Sequence, residues 1–138
     1  MLINFRNYIK LELKFNSNLI LLTGDNAQGK TNILESIYLS CTGRSYRTPR
    51  DRELIRWNEQ SCYIKTNVDK ASGISVIEVA INLQNKKAIK INGISAKKIG
   101  ELMGHLNGVI FSPEDLKLIK DGPIERRRFI DKELSQII

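Results

Sequence analysis

Four consecutive apolar residues, Leu19-Ile20-Leu21-Leu22, lead into Gly24-Asp25-Asn26-Ala27-Gln28-Gly29-Lys30-Thr31. Helical spacing follows at once, with apolar positions Ile33, Leu34, Ile37, Tyr38 and Cys41 and a stopping glycine at Gly43. The octapeptide matches G-x-x-x-x-G-K-[ST], the phosphate-binding loop. In a chain of this composition a chance match has a probability of roughly 0.6%, so the motif dominates the reading. It predicts a strand buried on both faces, a glycine-bearing turn and a helix, which is an α/β arrangement. The alternative is a strand-to-helix turn that happens to be glycine-rich and holds no ligand.

The loop chemistry follows from the residue types. Glycines let successive backbone N–H groups curl toward one concave side, and the helix N-terminus adds its own donors there. Residues 24–31 are therefore the candidate nucleotide-binding set: Gly24, Asp25, Asn26, Ala27, Gln28, Gly29, Lys30 and Thr31. Lys30 is expected at the β- and γ-phosphates and the Thr31 hydroxyl at Mg²⁺, which makes these two the candidate catalytic positions.

Around the motif the pattern is mainly β. Leu2 to Phe5 and the alternating Ile9 to Phe15 read as strands joined at Asn7-Tyr8. Ser61 to Val68, Val76 to Leu83 and Lys87 to Ile91 read as further strands, with turns at Asn85-Lys86 and Asn92-Gly93. Arg44 to Arg50 reads as a basic loop. Asp51 to Trp57 reads as a short helix with Leu54, Ile55 and Trp57 inward, and Ser95 as the cap of a helix running to about Met103. Val109-Ile110-Phe111 reads as a short buried strand. Ser112-Pro113-Glu114-Asp115 opens a helix, Gly122-Pro123 breaks it, and a last helix runs from about Ile124 to the end.

Charge and cysteines narrow the class. The net charge of +7 is spread over both halves, so an anionic partner is plausible. Lys86, Lys87 and Lys90 on the hairpin, with Arg47, Arg126 and Arg127, are the candidate DNA contacts; a lysine-coated edge kept soluble is the competing reading. No apolar run approaches a membrane span, and two cysteines form neither a disulfide framework nor a metal site, which fits a cytoplasmic protein. A single histidine rules out triads and His-rich metal sites.

Three blocks carry a family resemblance: Leu2 to Tyr8; Gly24 to Ile37 with Gly43-Arg44-Ser45-Tyr46-Arg47; and Phe111 to Leu116 with Asp121 to Asp131. They resemble the RecF family of bacterial DNA repair ATPases, related to SMC proteins and ABC ATPases. The resemblance implies a P-loop NTPase head of which residues 1–138 form lobe I. Its expected architecture is a mixed β-sheet with flanking antiparallel strands and a hairpin, and the Walker B and signature motifs lie outside the chain. The apolar finish Ser135 to Ile138 likewise predicts a chain that continues. Implied ligands are ATP and Mg²⁺. Implied partners are single-stranded or gapped DNA, RecR, RecO, RecA and a second copy bound around ATP. DNA replication, recombination, repair and the SOS response are the implied processes. A basic DNA-binding module with a vestigial nucleotide site and a P-loop kinase are the other two readings.

Overall fold

A computed structural model describes residues 1–112 and 123–134. The framework is a single six-stranded antiparallel sheet made of β1 (Leu2–Phe5), β2 (Tyr8–Leu11), β3 (Ser61–Lys70), β4 (Gly73–Asn82), β5 (Lys87–Ile91) and β6 (Ile94–Ser95). Their spatial order is β2-β1-β3-β4-β5-β6. The long β3–β4 hairpin is paired along its whole length, from Ser61 opposite Asn82 to Lys70 opposite Gly73. The period of two explains which side is covered. Ser75, Ile77, Val79 and Ile81 are buried, while the intervening Val76, Glu78, Ala80 and Asn82 are only partly covered. Asn92 and Gly93 both take positive φ, 52° and 82°, the geometry a tight β5–β6 turn requires.

Helix α1 (Lys30–Thr42) lies against the covered face. Leu39 packs into one cluster with Phe5, Leu54, Cys62, Ile64, Ile77, Val79, Ile81 and Leu102. Gly43 ends the helix as expected, at φ 69° with its N–H donated to the Leu39 carbonyl. Two short 3₁₀ turns, Asp51–Leu54 and Ile99–Leu102, close the ends of the layer, each through one fully buried leucine. A second helix, α2, covers Pro123–Leu134.

Several sequence expectations change. Leu19 to Leu22 forms no strand; Leu19 and Leu21 are 86% and 82% exposed. Val109 and Phe111 are likewise exposed and without strand structure. The physical reason is common to both: an all-apolar strand is stable only between neighbours, and among the described residues no strand lies beside either one. The parallel half of the expected mixed sheet is thus not among the described residues, where every pairing is antiparallel. The second strand ends at Leu11 rather than Phe15. Ser95 belongs to β6, and the expected helix to Met103 shrinks to the Ile99–Leu102 turn. Trp57 points outward at 88% exposure, while Leu54 and Ile55 are buried. The helix opened by Pro113-Glu114-Asp115 and the break at Gly122 lie outside the described residues.

Candidate functional site

The phosphate-binding loop hangs between Leu22 and α1. Gly29 is its anchor: it caps α1 in the left-handed region at φ 99° and is buried. A Cβ there would stand 2.6 Å from the Tyr8 hydroxyl and 2.7 Å from the Asn7 amide nitrogen, so only glycine fits. Ala27 also takes positive φ, 66°, as the chain curls. The Gly29 carbonyl accepts from the Asn32 and Ile33 N–H groups and starts the helix.

Lys30 and Thr31 occupy the first turn, where a phosphate would meet the helix N-terminus. The Lys30 ammonium donates to the carbonyls of Gly24 and Asp25, so it folds back across the mouth of the loop. Among the described residues it has no carboxylate partner. Thr31 is exposed, and α1 carries no acid in its first turn to repel an anion. A cation held only by neutral oxygens, beside helix-end amides, is a donor set that suits a polyphosphate and its metal.

Directly behind the loop stands a feature that motif reading missed. The Glu35 carboxylate is completely buried on α1. It accepts two bonds from the Arg6 guanidinium, at 2.9 and 2.7 Å, another from the Ser45 hydroxyl, and a fourth from Arg47 at 3.2 Å. Arg6 also reaches the Glu53 carbonyl. One acid thus fastens the β1–β2 turn and the basic loop after α1 to the phosphate-loop helix. Its sequence signal was a lone glutamate among the apolar positions of α1, facing inward.

The candidate DNA contacts separate into groups. Lys86 and Lys90 are exposed on the β5 side of the sheet. Lys87 points the other way: only 13% of its side chain is accessible, and it bonds Asp51 at 2.8 Å and the Gly43 carbonyl at 2.7 Å. Lys87 is therefore an internal strut between β5 and the end of α1, and the structure does not present it with its two neighbours. Arg47 sits beside the phosphate loop, bonded to Asn32 and Glu35. Arg126 and Arg127 are exposed on α2.

A glycine-rich loop curled onto a helix N-terminus, closing on Gly29-Lys30-Thr31 with a β-sheet behind, defines the P-loop nucleoside-triphosphatase fold. The AAA domain model matches residues 1–137, and the chain belongs to that family. The chain is 55% identical over 136 residues to the DNA replication and repair protein RecF of Alkaliphilus oremlandii, and 56% identical over 137 residues to that of Clostridioides difficile. In both comparisons 99% of this chain is covered but only 37% of the relative, so the chain spans just over a third of these proteins. A solved structure of the recombination mediator RecF with ATP superimposes with a TM-score of 0.93 at 41% identity, over 99% of this chain and 37% of that one. An SMC ATPase structure shares the fold at a TM-score of 0.75 and 23% identity, covering 95% of each chain.

Proposed function

We propose that residues 1–138 are lobe I of a RecF-type DNA replication and repair ATPase, and that the lobe binds ATP through residues 24–31. The observation that carries this is Lys30: a cation in the first turn of α1, bonded only to loop carbonyls, beside a loop whose backbone Gly29 alone can complete. Lys30 would turn from the Gly24 and Asp25 carbonyls to the phosphates. Thr31 would hold Mg²⁺, which neutralises phosphate charge when bound. The ATP-bound state of the RecF relative supports the same ligand.

The basic surface supports DNA as the macromolecular partner, with Lys86, Lys90, Arg126 and Arg127 as exposed contacts. Binding in an ATP-dependent way, a dimer closed around ATP, and help with RecA loading at gaps alongside RecO and RecR are what the RecF likeness extends to this chain. Cytoplasmic residence accords with free, buried Cys41 and Cys62. No helix among the described residues is long and apolar enough to cross a membrane.

Calorimetric titration with Mg-ATP tests the reading. Wild-type protein gives a saturable isotherm and Lys30→Ala loses most of it. Equal affinity in the two proteins would sink the assignment. Residues 1–138 alone turn ATP over negligibly, because water positioning and γ-phosphate charge stabilisation need groups from the Walker B and signature regions.

A further inference from the structure

Behind the phosphate loop runs an ordered chain of amide side chains. The Arg47 guanidinium donates to Asn32 Oδ1 at 2.7 Å. Asn32 Nδ2 donates to Asn7 Oδ1 at 2.9 Å. Asn7 Nδ2 donates to the Gln28 carbonyl at 3.3 Å, where the Tyr8 hydroxyl also donates at 3.4 Å. From this geometry we propose that Asn7, Asn32 and Arg47 are positioning residues that aim the Gly29 N–H at the phosphate of a bound nucleotide. The proposal rests on the nucleotide reading of residues 24–31 and assigns that site its back wall.

The reasoning starts from the peptide plane. In a trans peptide the carbonyl of one residue and the N–H of the next point in opposite directions. Among the described residues no peptide is cis. Two donors, Asn7 in the β1–β2 turn and Tyr8 at the start of β2, hold the Gln28 carbonyl against that hairpin. The Gly29 N–H of the same plane then points away from the hairpin. Released, this plane can flip, because Gly29 is the residue with least resistance to a change of φ. A flipped plane would offer a carbonyl oxygen to an anionic phosphate.

The direction of the chain is also fixed. An asparagine amide can face either way round, and its neighbours decide which. Arg47 decides here, because a guanidinium only donates. Its bond makes the near atom of Asn32 the oxygen, which leaves the Asn32 nitrogen for Asn7. That makes the near atom of Asn7 its oxygen, and only then does Asn7 turn its nitrogen to Gln28. Glu35 accepts from the same guanidinium nitrogen and helps hold Arg47 in place. The basic loop after α1 is thereby linked to the phosphate loop through three side chains, Arg47, Asn32 and Asn7.

Asn7→Asp is the sharpest test, since it keeps the shape of the side chain and replaces the donor facing Gln28 by an oxygen. Binding of a fluorescent ATP analogue to the intact protein is compared for wild type, Asn7→Asp, Asn32→Asp and Lys30→Ala. The expected result is a loss of about tenfold or more for both aspartates, with urea midpoints close to wild type. A second readout is the Gly29 amide resonance. On adding ADP it shifts strongly in wild type and weakly in Asn7→Asp, a change that a merely structural role for Asn7 would not produce. Wild-type affinity in Asn7→Asp, with Lys30→Ala still defective, overturns the relay and leaves the nucleotide site standing. Unchanged affinity in Lys30→Ala overturns the site itself. If either aspartate variant unfolds, Tyr8→Phe combined with Asn7→Ala removes both donors to the Gln28 carbonyl without adding charge. That pair must then weaken binding for the proposal to hold.

Discussion

Replacing Glu35 by Gln removes one buried charge and leaves two guanidiniums facing a neutral amide. Glu35 has no accessible surface, whereas the Arg6 and Arg47 side chains keep 19% and 39% of theirs. Removing one member of a buried ion pair typically costs about 3–5 kcal/mol. Arg6 retains its bond to the Glu53 carbonyl and both cations can turn partly to water, so the lower figure applies, about 3 kcal/mol. With a urea dependence of about 2 kcal/mol per molar, the unfolding midpoint falls by about 1.5 M. Far-UV circular dichroism of the intact protein reads the midpoint directly. The double variant Arg6→Met, Glu35→Leu should lose less than Glu35→Gln alone, because it leaves only Arg47 without its acid. A Glu35→Gln midpoint within about 0.3 M of wild type would mean that the three-way contact merely breaks even, and the clamp argument would fall.

Three further outcomes follow from particular contacts. Gly43→Ala should destabilise by about 1–3 kcal/mol, because the residue sits at φ 69° and the new Cβ would lie 2.7 Å from an Ile99 methyl; a shift in melting temperature measures it. Burial pushes the Cys41 thiol up to about 11 and the Cys62 thiol up to about 12, chiefly through desolvation. Unfolded thiols ionise near pH 8.5–9, so this contribution to stability is whole below that pH and is lost as pH climbs toward 11–12; melting temperatures from pH 8 to 11 should fall accordingly, and a thiol reagent at pH 8 should label neither cysteine until urea is added. DNA affinity should drop with salt, and Lys86→Gln with Lys90→Gln should flatten the slope of log K against log salt, whereas Lys87→Gln should lower stability instead.

How much of this was readable in advance depends on where each residue finds its neighbours. Ile77, Val79 and Ile81 were legible because a half-covered strand writes its burial as alternation. The P-loop fold was legible because the Gly24 to Thr31 motif fixes residue types at fixed spacing between strand and helix. Leu19 to Leu22 read as buried because hydrophobicity records what a segment is suited to contact, and the contact is not among the described residues. Trp57 misled for a related reason: the 3₁₀ turn ends at Leu54, so helical spacing no longer carries residue 57 inward. Glu35 was missed because its partners, Arg6, Ser45 and Arg47, come from both sides of α1 in sequence, and no local spacing links them. Lys87 looked like Lys86 and Lys90 in composition; alternation along β5 separates them.

The order of strands in the sheet also sets an order in time. β3, β4, β5 and β6 are consecutive in the chain and joined by short turns, so they can zip from the β3–β4 turn outward with little entropy lost per step. The β1–β2 hairpin can form by itself but must find β3 across the whole stretch that contains the phosphate loop and α1. That closure is the costly event. Pulse-labelled hydrogen exchange during refolding should therefore protect the amides of β3 and β4 before those of β1. Asn7 and Tyr8 lie on the late hairpin, so the phosphate loop gains its backing only when that last strand docks. On the proposed nucleotide reading, a nucleotide that binds the backed loop would hold the docked hairpin in place, so that ATP would act as a latch on the last contact to form.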